Sequence, residues 1–94
     1  MTDHKKLAKV HRLARELGAD EIKKSWRKNK KYVVLYDGDW IHFGDNRYDD
    51  FLDHTDKERR INYKKRASKI KDKSGRLTYR LKSSPNFWAY NVLW

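Results

Sequence analysis

Leu7, Val10, Ala14 and Leu17 recur at the spacing of one helix face, and Gly18 follows as a stop. Residues 3–17 are therefore expected to form an amphipathic helix with Lys5, Lys9 and Arg12 turned to water. Asp20 is in position to cap a short second helix carrying Ile22 and Trp26. The period then changes from helical to alternating. Tyr32-Val33-Val34-Leu35-Tyr36 is a β-branched and aromatic run, Asp37-Gly38 is a type I′ turn signal, and Asp39-Trp40-Ile41-His42-Phe43 returns. A two-residue turn sets the register of this antiparallel hairpin: Tyr36 opposes Asp39, Leu35 opposes Trp40, Val34 opposes Ile41, Val33 opposes His42 and Tyr32 opposes Phe43. One face then carries Val33, Leu35, Trp40 and His42, and the other Tyr32, Val34, Tyr36, Ile41 and Phe43. Both are apolar enough to need cover, one from a helix and the other from a second helix or a partner.

Thr55 followed by Glu58 reads as a capping box that opens a helix from about Asp56 to Ile70, with Asp56 adding charge to its first turn. Arg59, Tyr63, Arg66, Ala67 and Ile70 fall on one stripe of that helix, so two arginines are expected on its inward face. Buried arginines need partners, and Asp49, Asp50 and Asp53 are the nearest supply. Structural ion pairs of Arg59 and Arg66 with Asp49 and Asp50 are the expectation. Leu77 to Leu81 suggests a third short strand, and Ser84-Pro85 an N-cap and first-turn proline opening a last helix toward Trp94. The fold class is α+β: one small domain over residues 25–94, an antiparallel hairpin packed with helices, preceded by a basic helical arm over residues 1–24. Order is expected from about Trp26 onward.

The 94 residues hold 24 Lys+Arg against 13 Asp+Glu, a net charge of +11 on a thin core. The charge is unevenly placed. Residues 1–32 carry 11 basic and 4 acidic side chains, residues 33–56 carry 1 and 7, and residues 57–94 carry 12 and 2. Two cationic blocks around an acidic centre favour a polyanionic partner, nucleic acid before an anionic membrane. The block Arg27, Lys28, Lys30 and Lys31 sits between Trp26 and Tyr32, and Arg60, Lys64, Lys65 and Lys69 form an outward ridge on the later helix. These eight are the candidate phosphate contacts. Base stacking by Trp26 is disfavoured, because a tryptophan at helical spacing from Ile22 reads as core.

No cysteine is present, which excludes disulfides, thiolate zinc sites and a cysteine nucleophile. No apolar run approaches the ~20 residues of a membrane span, so a soluble, intracellular protein is expected. His42, Asp45, Asp49, Asp50, His54 and Asp56 form the one cluster with metal or acid–base potential, but their spacing fits no ligand motif and Asp56 is explained by helix initiation. No catalytic residue, metal or cofactor is expected, and the protein is not expected to be an enzyme.

Successive motifs from Ser25 to Trp94 carry a resemblance: Arg27-Lys28-Asn29-Lys30-Lys31-Tyr32; Ile41-His42-Phe43-Gly44-Asp45; Tyr48 with Asp50-Phe51, His54 and Asp56; Glu58-Arg59-Arg60 with Tyr63 and Arg66; and Phe87-Trp88 with Leu93-Trp94. In these the chain resembles a family of small basic proteins encoded by large nucleocytoplasmic DNA viruses (giant viruses). Members of that family commonly carry an Arg-His pair where this chain has Arg66-Ala67, so no role for that histidine transfers. The resemblance implies viral origin and a shared fold, and brings no activity with it. Joined to the charge, it leads to the expectation of a sequence-independent DNA-binding protein that coats or condenses a viral genome, in the virion interior or at an intracellular replication site. Duplex DNA is the expected partner, with RNA the other polyanion. An internal virion structural protein that binds another viral protein is the alternative, and a metal-dependent nuclease the third.

Overall fold

Fourteen residues, Asp3–Glu16, form helix α1 in the computed structural model, which describes residues 3–94. Its end is a Schellman motif. Ala19 N–H donates to the Ala14 carbonyl at 3.0 Å and Gly18 N–H to that of Arg15 at 3.0 Å, with Gly18 at φ +101°, where an L side chain would be strained. The tight reversal sends the chain into an extended segment, so the short helix expected after Asp20 does not form. Strand β1 (Glu21–Lys24) takes its place and pairs antiparallel with β2 (Lys30–Tyr36), Ile22 opposite Val34 and Lys23 opposite Val33. Asp20, instead of capping a helix, donates its N–H to the Leu35 carbonyl at 2.9 Å. The reason is packing: one turn of helix could bury Ile22 against nothing, whereas a strand completes the sheet edge and buries it.

Strand β3 (Asp39–Asp45) closes the sheet in the order β1-β2-β3, in the register the two-residue turn dictates, from Tyr36 opposite Asp39 to Tyr32 opposite Phe43. Asp37 at φ 51° and Gly38 at φ 80° supply the two positive angles of a type I′ turn. The inner face of the sheet delivers Ile22, Tyr32, Val34, Ile41 and Phe43 to the core, where they meet Val10, Ala14 and Ala19 from one side and Phe87, Trp88, Val92 and Leu93 from the other. Each large side chain buried there is worth about 1.5–3 kcal/mol relative to exposure. Residues 3–24 are thus part of the single core, not an arm on a domain that begins at residue 25: Val10 and Ala14 are fully buried and β1 is a strand of the sheet.

Helix α2 (Phe51–His54) is one turn long, capped by Asp50, with a capping box completed by Asp53. It ends on Thr55 in the left-handed region at φ 53°. Thr55 therefore terminates one helix and cannot cap the next. The cap of α3 (Lys57–Ala67) moves to Asp56, whose Oδ1 accepts from Glu58 N–H at 3.0 Å and Arg59 N–H at 3.2 Å. The helix stops at Ala67, short of Ile70. Leu77 makes a lone bridge to Lys71, and Thr78–Arg80 winds into a 3₁₀ turn, since no neighbouring strand is available to extend the pairing. Helix α4 (Pro85–Trp88) opens as expected, Ser84 Oγ accepting from Asn86 N–H at 3.2 Å, and continues as a π-helical turn over Ala89–Leu93. No helix among the described residues is long and apolar enough to cross a membrane.

Candidate nucleic-acid interface

The acidic centre turns partly inward. Asp50, 2% exposed, uses Oδ1 to accept from Leu52 N–H at 2.9 Å and Oδ2 to accept from Lys6 Nζ at 2.9 Å and Lys31 Nζ at 2.8 Å. Asp53 accepts from Lys6 Nζ at 2.8 and 3.0 Å and from Asp50 N–H at 3.0 Å, and stands 3.5 Å from Lys31 Nζ. Burial opposes the charge on Lys6, but its bonds to Asp53 and Asp50 outweigh that and leave its pKa raised. Burial likewise opposes the charge on Asp53, and the Lys6 and Asp50 N–H bonds overcome it, holding the carboxyl at about 2. Two lysines and two carboxylates balance, tying α1, β2 and α2 together.

This network corrects two expectations. Arg59 and Arg66 are exposed and form no ion pair with Asp49 or Asp50 among the described residues, because Asp50 is already taken by Lys6 and Lys31. Lys31 in turn is withdrawn from the candidate phosphate contacts. Lys6 was missed, although it lies four residues before Val10 on the buried face of α1, an unusual place for a lysine without a partner.

The other cations divide by how freely they reach water. Arg27, Lys28 and Lys30 are exposed around the β1–β2 connection, and Lys65 and Lys69 are exposed on and just beyond α3. Arg60, still exposed, and Lys64, half-buried, rest against aromatic rings. Arg60 Nε donates to the Trp94 carbonyl at 2.7 Å with its guanidinium 4.6 Å from the Phe51 ring. Lys64 Nζ stands 4.7 Å over Tyr90, and burial, with the Arg60 charge beside it, lowers its pKa. Of the expected stripe Arg59, Tyr63, Arg66, Ala67 and Ile70, only Ala67 is buried, at 2% exposure; the other four line an open cleft of about 750 Å³ that also receives Lys30 from β2. Tyr63 stacks on Trp94 at 4.2 Å, with the rings 9° from parallel, to form one wall. Of the carboxylates on the cleft, Asp45 is held at about 2 by Arg47, whose guanidinium forks onto it at 2.9 and 2.7 Å, and Asp50 is paired within the buried network. Asp49, exposed, also lines the cleft.

The outer face of the sheet is different again. Trp26 is 59% exposed and Trp40 39%, with ring centroids 5.4 Å apart and planes at 73°. Trp26 lies edge-on to His42 at 4.6 Å, and Lys23 Nζ sits 5.3 Å from the Trp26 ring and 4.6 Å from that of Trp40. Beneath them, Val33 is fully buried yet stands outside the main core cluster, opposite His42 in the ladder. Ser25 Oγ lies 2.7 Å from His42 Nδ1, within hydrogen-bond reach, and accepts from Arg27 N–H at 3.0 Å. Burial, then the charges of Arg27 and Lys30, lower the His42 pKa. Trp26 is not core, against the sequence expectation. That expectation rested on a helical period which β1 does not have.

Residues 21–67, from the first residue of β1 to the last of α3, match a family model described as Family of unknown function (DUF5754). The chain belongs to that family. The DUF5754 segment holds both exposed tryptophans, His42, the β1–β2 cations and the arginines of the cleft, while Lys6 lies outside it. No curated protein matches the chain, and no solved structure does.

The histidines and carboxylates singled out in the sequence are dispersed within this segment. His42 is on the outer sheet face with Ser25, Asp50 and Asp56 are helix caps, and His54 accepts from Asp56 N–H through Nδ1 at 2.9 Å with its ring 5.3 Å from Trp94. Among the described residues no group of three or more such side chains could hold a metal ion.

Proposed function

We propose that this protein binds nucleic acid without reading base sequence, coating or condensing DNA through its phosphates. The observation that carries the reading is the meeting of the two basic blocks: Lys30 of β2 and Arg59 and Arg66 of α3 border one cleft, with Arg27 and Lys28 exposed beside Lys30. Cations of one surface that neutralise phosphates release condensed counterions, which makes affinity large at low salt and insensitive to sequence. The free set is Arg27, Lys28, Lys30, Arg59, Lys65, Arg66 and Lys69, with Arg60 and Lys64 held against aromatic rings and Lys31 against carboxylates. In the viral setting that the resemblance implies, the ligand is the genome, met in the virion interior or at the replication site.

A salt series on duplex DNA tests this. If roughly 5–8 phosphates are neutralised, log K should fall against log[salt] with a slope of about −4.5 to −7, and scrambling the sequence should leave affinity unchanged. A protein that instead binds another viral protein would show little affinity for free DNA at ~0.15 M salt, where the Debye length is about 8 Å. Degradation of the probe on adding magnesium or manganese would replace the reading with a nuclease.

A further inference from the structure

We infer that the outer face of the sheet is a stacking platform for unpaired bases, so that the preferred ligand is a single strand, with Trp26 and Trp40 receiving bases and Lys23, Arg27, Lys28 and Lys30 holding its phosphates. This rests on the phosphate-binding reading above and specifies its substrate. Two indoles left 59% and 39% exposed on one sheet face, with centroids 5.4 Å apart, form a continuous apolar surface. Exposure alone names no partner, but charge does. Residues 23–31 carry Lys23, Lys24, Arg27, Lys28, Lys30 and Lys31 with no carboxylate among them. A partner must therefore offer flat rings and repeated negative charge at short intervals, as each nucleotide of a single strand does. A duplex offers the same charge with its base faces hidden in the stack, and cannot occupy the tryptophans.

The platform is already formed in the free protein. The turn that carries Trp26 is held by Ser25, 2.7 Å from His42 Nδ1 and accepting from Arg27 N–H at 3.0 Å, and Lys23 Nζ, 5.3 and 4.6 Å from the two indoles, swings off them to a phosphate when a base arrives. Direction is set as well. Asp37, Asp39 and Glu21 lie toward the hairpin end beside Trp40, and the cations toward the β1–β2 connection, so the strand passes from the rings toward Lys28 and Lys30.

The test uses the full chain with labelled oligo-dT, oligo-rU, an abasic backbone of equal length and a duplex, each about 12 nucleotides long, within the usual ~4–16-nucleotide site. The parent should bind oligo-dT or oligo-rU more tightly than the duplex. Trp26→Ala and Trp40→Ala should each weaken that binding by about 5- to 150-fold while changing the abasic backbone and the duplex less than about twofold, and Trp26→Phe should restore most of the loss. Equal losses on all four probes, a parent preference for the duplex, or tryptophan variants that bind single strands like the parent would each overturn the platform. If in the last case Lys28→Ala and Lys30→Ala still weaken every probe, the phosphate reading survives without it. No binding by the parent to any probe at low salt would remove both.

Discussion

At the residue scale the decisive group is Asp50, which caps α2 with one oxygen and receives two lysines on the other. Asp50→Ala should cost about 3–5 kcal/mol in urea unfolding, because Lys6 and Lys31 would be left in a buried site with one carboxylate. Arg59→Ala and Arg66→Ala, both exposed, should stay within about 0.5 kcal/mol. Acid should act in two stages. The folded state holds His42 neutral below its ordinary 6.5, so the unfolded chain takes up a proton first: stability is full above 6.5 and declines as the pH falls from there through the lower folded value. Asp53 works in the same sense further down, its contribution present above 3.8 and lost as the pH falls through about 2. Urea midpoints measured against pH should show both stages in the parent and only the lower one in His42→Gln. None of this pairing was legible in the sequence, since charge spacing along one helix says which side chains share a stripe and not what lies opposite it. Asp50 and Asp53 are paired, but by Lys6 and Lys31 on two other elements and not by Arg59 and Arg66.

At the scale of elements, legibility follows how many independent local signals agree. The hairpin had three, an alternating run on each side and an Asp-Gly turn, and its register is the one expected from them. Gly38→Val should therefore damage folding, as a β-branched side chain cannot hold φ 80° cheaply, and loss of the cooperative thermal transition is the readout. Strand β1 had one, the single apolar residue Ile22 in four, and pairing with β2 decided its form. The Thr55 box failed because a one-turn helix ends where the next begins. Thr55→Gly should stabilise by about 1 kcal/mol by relieving the left-handed threonine, whereas Asp56→Ala should cost about 1 kcal/mol; a capping role for Thr55 would give the opposite ranking in urea midpoints. Of the stripe on α3 only Ala67 is buried, while Arg59, Tyr63, Arg66 and Ile70 face a cleft, since periodicity does not distinguish a core from a cleft.

For the whole molecule, net charge is a poor guide to reach until the spent cations are set aside. Lys31→Ala should lower stability and leave the salt slope on duplex DNA nearly unchanged, whereas Lys30→Ala should flatten the slope by about 1 with little effect on stability. A chain lacking residues 3–18 should fail to fold, with loss of near-ultraviolet circular dichroism and of the thermal transition, because Val10, Ala14 and Lys6 go with it. The α+β class was legible from the periods. That α1 belongs to the core was not, since a basic amphipathic helix looks the same from sequence whether it docks or floats.

The buried network also orders events in time. Lys6 waits for carboxylates 44 and 47 positions later in the chain, and the ring of Trp88 that fills the core arrives later still. As the polypeptide leaves the ribosome, α1 emerges with a lysine whose counterions do not yet exist, and the sheet emerges with one apolar face open. Burial of that inner face under α1 and the C-terminal helices is then completed late, after the sequential strands β1-β2-β3 have paired by local contacts.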